Sequence, residues 1–103
     1  MRIMITFSFP TQSGNDDVAS GKIQKVFENL MADLKPEAAY FYPEGGERGG
    51  VMFVNANDSS DVVKLAEPFW FGLNADVTMT PVMSADDLMK GMADIPKIAS
   101  RYR

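Results

Sequence analysis

Residues 2–9 alternate with a period of two. Ile3, Ile5, Phe7 and Phe9 fall on one side, Met4, Thr6 and Ser8 on the other, and Pro10 ends the run. That pattern predicts a strand. Thr11-Gln12-Ser13-Gly14-Asn15 reads as loop chemistry, with Asn15, Asp16 and Asp17 placed to cap a following helix. From Ala19 the period changes. Ile23, Val26, Phe27, Leu30, Met31 and Leu34 recur at helical spacing, Gly21 weakens the first turns, and Pro36 stops the helix.

Residues 38–42 predict an aromatic-rich second strand, 43–50 a glycine-rich turn, and 51–55 a third strand, together a β-hairpin. A second helix is expected from the Asn57–Asp61 cluster through Val62, Val63, Leu65, Ala66 and Phe69, with a kink or break at Pro68 before Gly72. Residues 75–82 alternate again as a fourth strand. Ser84-Ala85-Asp86-Asp87 has capping-box spacing, with Asp in place of Glu, and opens a helix carrying Leu88, Met89 and Met92. The chain then ends in a basic tail over residues 94–103.

The order β-α-β-β-α-β plus a C-terminal helix predicts an α+β, ferredoxin-like domain spanning 1–103, with a four-stranded antiparallel sheet and two helices on one face. The helix-covered face is expected to carry Ile3, Ile5, Phe7, Ala39, Phe41, Val51, Phe53, Val77 and Met79. Its helical partners are then Ile23, Phe27, Leu30, Leu34, Val63 and Leu65. The opposite face should present Met4, Thr6, Ser8, Tyr40, Tyr42, Met52, Val54, Asp76, Thr78 and Thr80. A solvated face would carry Lys and Glu. This one is half apolar, which marks an interface or a ligand cleft, and a second copy packed face to face is the economical cover.

On Met1–Phe7, Leu34–Phe41, Pro81-Val82-Met83 and Asp87-Leu88 the chain resembles the dimeric α/β-barrel proteins, in particular short bacterial members with no assigned function. The resemblance implies a homodimer whose two sheets join into one barrel. Relatives include small monooxygenases of antibiotic synthesis, muconolactone isomerase, and haem-degrading or haem-binding proteins. The haem-handling members usually rely on histidine.

Composition narrows the chemistry. At 103 residues and 46% hydrophobic, the chain suits one globular domain. It has no cysteine and no histidine. Disulfides, thiolate nucleophiles, cysteine or histidine metal sites and Ser-His-Asp catalysis are therefore out of reach. No cofactor or metal is expected. A net charge of −4 disfavours nucleic-acid binding, and no stretch is apolar enough to span a membrane. The N-terminus lacks the pattern of a secretory signal, so a cytoplasmic location is expected.

Candidate site residues follow from the open face. Tyr40 and Tyr42, two apart on one strand, can wall an apolar pocket or pack at an interface. Thr6 and Thr78 supply polar groups beside them. Asp76 is an acid within a strand, either a base in an enclosed space or a solvated strand end. Trp70 lines a pocket mouth or anchors the second helix. The glycine-rich loop with Arg48 reads as a turn rather than a phosphate cradle, because no helix follows it and Glu44 and Glu47 flank it. The acids at Asp58, Asp61, Asp86 and Asp87 read as helix-start groups. Three functions fit: a homodimer binding a small apolar or amphipathic molecule between its sheets, a cofactor-free monooxygenase-like or isomerase-like enzyme using Tyr40, Tyr42 or Asp76, and an interaction protein with no pocket.

Overall fold

The computed structural model describes residues Met1–Arg103. The elements are β1 (Arg2–Phe9), α1 (Thr11–Ser20), α2 (Lys22–Leu34), β2 (Ala38–Glu44), β3 (Glu47–Asn55), α3 (Asp61–Leu73), β4 (Asp76–Pro81), α4 (Ala85–Met92) and α5 (Ile95–Tyr102). The four strands form one antiparallel sheet in the order β2-β3-β1-β4. The strand count matches the sequence reading, and so does the helix-covered face on β1, β2 and β4 but not on β3, whereas the helices number five rather than three.

The core lies between the sheet and α2 and α3. Ile3, Ile5, Phe7 and Phe9 of β1 and Met52 and Val54 of β3 meet Leu30 of α2 and Leu65, Phe69 and Leu73 of α3. Each side chain of this size contributes about 1.5–3 kcal/mol when fully buried. Phe7 is the hub, with ring centroids 4.9 Å from Phe69 and 6.2 Å from Phe27. In α3 the inward face is Leu65, Ala66, Phe69 and Leu73. Val63, expected to pack inward, is 62% exposed.

Four local expectations change. The polar segment after Pro10 is helix α1 rather than loop. Its Gly14 is buried against Phe9 and the Arg48 side chain, where a Cβ would sit tightly, about 3.1 Å from each. Gly21, at φ 83°, then breaks α1 from α2 in a left-handed turn that costs glycine little. Pro68 does not break α3. It forgoes the hydrogen bond to the carbonyl four residues back, but the helix runs on because the buried stripe on both sides of it holds it to the sheet. The basic tail is itself largely helical, as α5.

The fourth change concerns the hairpin. The turn is only Gly45-Gly46, both at positive φ (59° and 85°), so β2 and β3 extend to Glu44 and Glu47. Two positive-φ residues make a tight hairpin turn whose twist matches the strands. That turn fixes the register: Tyr40 pairs with Val51, Ala39 with Met52 and Ala38 with Phe53. Directly opposed residues share a face. Val51 and Phe53 therefore lie with Tyr40 on the open face, and Met52 and Val54 enter the core at 0% exposure. This reverses the expected assignment of all four. An eight-residue turn had hidden the pairing, and side-chain bulk favoured the wrong parity.

α4 opens as its spacing predicts. The Asp87 N–H donates to Ser84 Oγ at 3.1 Å, and the Ser84 N–H donates to Asp87 Oδ2 at 3.0 Å. No residue of α4 or α5 is buried. The chain measures 59 × 27 × 21 Å with a radius of gyration of 17.2 Å, against about 13 Å for a compact domain of this length. No helix is long and apolar enough to cross a membrane.

Candidate functional site

The uncovered face of the sheet is an ordered grid, because antiparallel register lines its side chains up in rows. One row runs Tyr42, Gly49, Ser8, Asp76 from β2 to β4. The next runs Tyr40, Val51, Thr6, Thr78, and the third runs Ala38, Phe53, Met4, Thr80. Polarity is thus graded. The third row is mostly apolar, the middle row mixed, and the first row carries the phenol, the hydroxyl and the carboxylate. Lysine is absent from all three, and Asp76 is their single charged residue.

Both edges of the grid are open. Tyr40 is 62% and Tyr42 38% exposed, and Asp76, Thr78 and Thr80 are exposed at the other edge. The centre, with Met4, Thr6, Ser8, Val51 and Phe53, is half-buried by its neighbours. The strands approach closely where Gly49 and Gly50 sit. A Cβ on Gly49 would strike the Phe7 carbonyl oxygen, and one on Gly50 the Tyr40 carbonyl oxygen.

Tyr42 has its pKa raised, first by burial among its neighbours and then by the Glu44 carboxylate two residues on. A phenol raised above its ordinary value of 10 is protonated at neutral pH and acts as a hydrogen-bond donor. Tyr42 and Asp76 occupy opposite ends of one row, and Tyr40 and Thr78 opposite ends of the next. Three strand spacings separate each pair, roughly 14 Å between backbones. A single copy therefore joins no tyrosine–aspartate acid–base pair.

Of the residues singled out in the sequence, Tyr40, Tyr42, Thr6, Asp76 and Thr78 share this face. Trp70 does not. It lies on α3, on the far side of the sheet, and is 46% exposed. Phe69, at 0% exposure, anchors α3 instead. Val51 and Phe53 join the face, and the Gly45-Gly46 pair was the signal that could have placed them there.

Below the third row, Arg2 continues the face. Its Nε donates to both carboxylate oxygens of Glu37 at 3.1 Å. The guanidinium pKa is raised, first by this hydrogen bond and its ion pair, with a smaller contribution from Asp87 of α4.

The clefts lie on the helix side. One of about 590 Å³ is bounded by Phe9, Ile23, Phe27, Phe41, Tyr42 and Arg48, beside the hairpin. A second, of about 860 Å³, continues along α2 past Phe27, Glu28 and Met31. A third, of about 690 Å³, sits between the end of α2 and α3. Asp58 and Asp61 take part in turn hydrogen bonds: Asp61 accepts the N–H groups of Asn57 and Asp58, and Asp58 accepts the N–H of Ser60. No three acids gather as a metal site.

Residues 1–95 match the family described as "Domain of unknown function (DUF3303)". The chain belongs to the DUF3303 family. No curated protein matches it. The family match ends within the first residue of α5, so it takes in the sheet, α1 to α3 and all of α4, and most of α5 lies beyond it. The candidate site of this DUF3303 member is thus a graded, lysine-free sheet face.

Proposed function

We propose that this DUF3303 protein is a homodimer of the dimeric α/β-barrel kind, pairing the open faces of two sheets around a small apolar or amphipathic molecule. One observation carries the reading: the three-row grid is too apolar for a solvated sheet face and grades from apolar to hydrogen-bonding along the strands. A solvent-facing sheet shows alternating charge instead. A two-fold axis parallel to the strands places the second copy's β4 over β2. Asp76 of one copy then stands over Tyr42 of the other, and Thr78 over Tyr40. The phenol donates and the carboxylate accepts, so the pairing is complementary.

The space over the short Ser8 and Thr6 side chains is the expected ligand position. Val51, Phe53 and Met4 supply its apolar walls, and Tyr40, Thr6, Thr78 and Asp76 its polar groups. Binding is the role the face supports best, because Val51, Phe53 and Met4 make much of it apolar.

The test is native mass spectrometry combined with a melting screen against apolar dyes. A dimer whose melting temperature rises with an apolar dye, and no longer does so in Thr6→Phe, supports the reading. A monomer that binds no dye contradicts it.

A further inference from the structure

α4 and α5 are amphipathic helices with nothing to cover them. Leu88, Met89 and Met92 on α4 and Ile95, Ile98 and Tyr102 on α5 are all exposed. An apolar stripe of this kind is stable as helix when buried against another surface. Part of the protein's excess length comes from this pair of helices standing away from the body.

The root of this arm sits at the end of β4, where the Val82 N–H donates to the Arg2 carbonyl oxygen at 3.1 Å. The arm therefore leaves from the edge strand that lies over the second copy's β2 in the dimer proposed above. Its charge is also distinctive. The protein has 14 acids against 10 bases, yet Ile95–Arg103 carries Lys97, Arg101 and Arg103 and no acid. The body is the acidic partner that such a helix would meet.

The body offers a matching surface. Between α2 and β2 runs a groove lined by Ile23, Phe27, Met31 and Phe41, with Glu28 on its rim. Phe41 is 58% and Met31 43% exposed, although Phe41 stacks edge-on against Phe27 at 5.3 Å. In the dimer proposed above, β4 of one copy lies over β2 of the other. The arm that follows β4 then passes the second copy's β2 edge, and this groove is the first apolar surface beyond it.

We infer that α4–α5 is an exchange arm whose α5 seats in the α2/β2 groove of a second copy, with its basic residues facing Glu28 on that copy's rim. This rests on the face-to-face dimer reading and adds a second, separable contact to it. Each copy gives one arm and receives one, so the interface closes with two-fold symmetry.

The test uses the full chain with a photo-cross-linking benzoyl-phenylalanine at Ile98, prepared as a mixture of ¹⁴N- and ¹⁵N-labelled protein. The expected products join the two isotopic forms, with the far end on residues 23–31 or 38–42. Cross-links confined to one chain would overturn the arm, as would inter-chain links that land elsewhere. Capture of lipid in place of the chain, when anionic phosphatidylglycerol vesicles are added, would overturn it in favour of membrane binding. Ile98→Asp is the companion variant. It should raise the dimer dissociation constant at least tenfold while the thermal unfolding of the sheet domain persists. An unchanged dissociation constant removes the arm and leaves the sheet-face dimer standing. A dimer that persists unchanged in Val51→Lys, with the Ile98 cross-link retained, would remove the sheet-face reading instead.

Discussion

Tyr40 stands directly opposite Val51 across β2 and β3, so the two share the face of the sheet that no helix covers. The next residue along, Met52, is fully buried on the other face. Parity alone separates them, and a charge placed at either position reads it out.

Val51→Lys should leave each subunit folded, losing only the stability that pairing of the two faces adds. Met52→Lys places an unpaired ammonium in the core and should cost several kcal/mol, enough to unfold much of the protein. Urea titrations followed by tryptophan fluorescence compare the two. Equal damage from both would contradict the register.

The hairpin makes a second prediction. Gly45 and Gly46 both hold positive φ, a conformation that β-branched residues avoid. Gly46→Val should destabilise the protein by about 1–2 kcal/mol. Gly45→Asn should be nearly neutral, since Asn-Gly suits this turn. A chemical-denaturation series on the two variants checks the contrast.

Gly72 is a point where α3 packs tightly against Val26 of α2. A Cβ there would lie 2.8 Å from Val26 Cγ1. Gly72→Ala should therefore cost about 1–3 kcal/mol by overpacking, despite alanine's higher helix propensity. Adding Val26→Ala should recover part of that loss. The double-mutant cycle should give a coupling of at least about 0.5 kcal/mol, and simple additivity would mean that the helices do not touch there.

Acid should weaken the protein in a defined window. Asp87 has its pKa lowered chiefly by the Ser84 N–H and hydroxyl, Asp61 by the Asn57 and Asp58 N–H groups, and Asp58 by Ser60. In each case the folded carboxyl binds its proton less readily than the unfolded one, whose ordinary value is 3.8. The stability they contribute is therefore present above about pH 4 and lost as pH falls below it. Urea midpoints measured downward from pH 6 should hold steady and then drop, and Asp61→Asn should shrink the drop. Ser84→Ala should remove about 1 kcal/mol from α4, seen as lost helical circular dichroism.

Most of the architecture was legible because alternation and helical spacing are strong where one face is buried. Ile3, Ile5, Phe7 and Phe9 define β1, and Ile23, Phe27, Leu30 and Leu34 define α2. The capping box was legible down to its Asp, since Ser84 and Asp87 stand three apart. α1 was not, because its residues are polar and its one buried contact, Gly14 beside Phe9 and Arg48, is made by the residue that looks most like a loop. The open face was legible on β1, β2 and β4. On β3 it was inverted, because Val51, Met52, Phe53 and Val54 are all apolar and only the turn at Gly45-Gly46 decides between them. The tail looked merely charged until Ile95, Ile98 and Tyr102 were seen to share one side of a helix.

The central claim is that the Tyr40–Val51–Thr6–Thr78 face pairs with a second copy of itself. Light scattering on the intact chain at micromolar concentration tests it most directly. The predicted result is twice the chain mass of 11.4 kDa, falling to 11.4 kDa in Val51→Lys. A parent protein that holds the single-chain mass across that concentration range would contradict it.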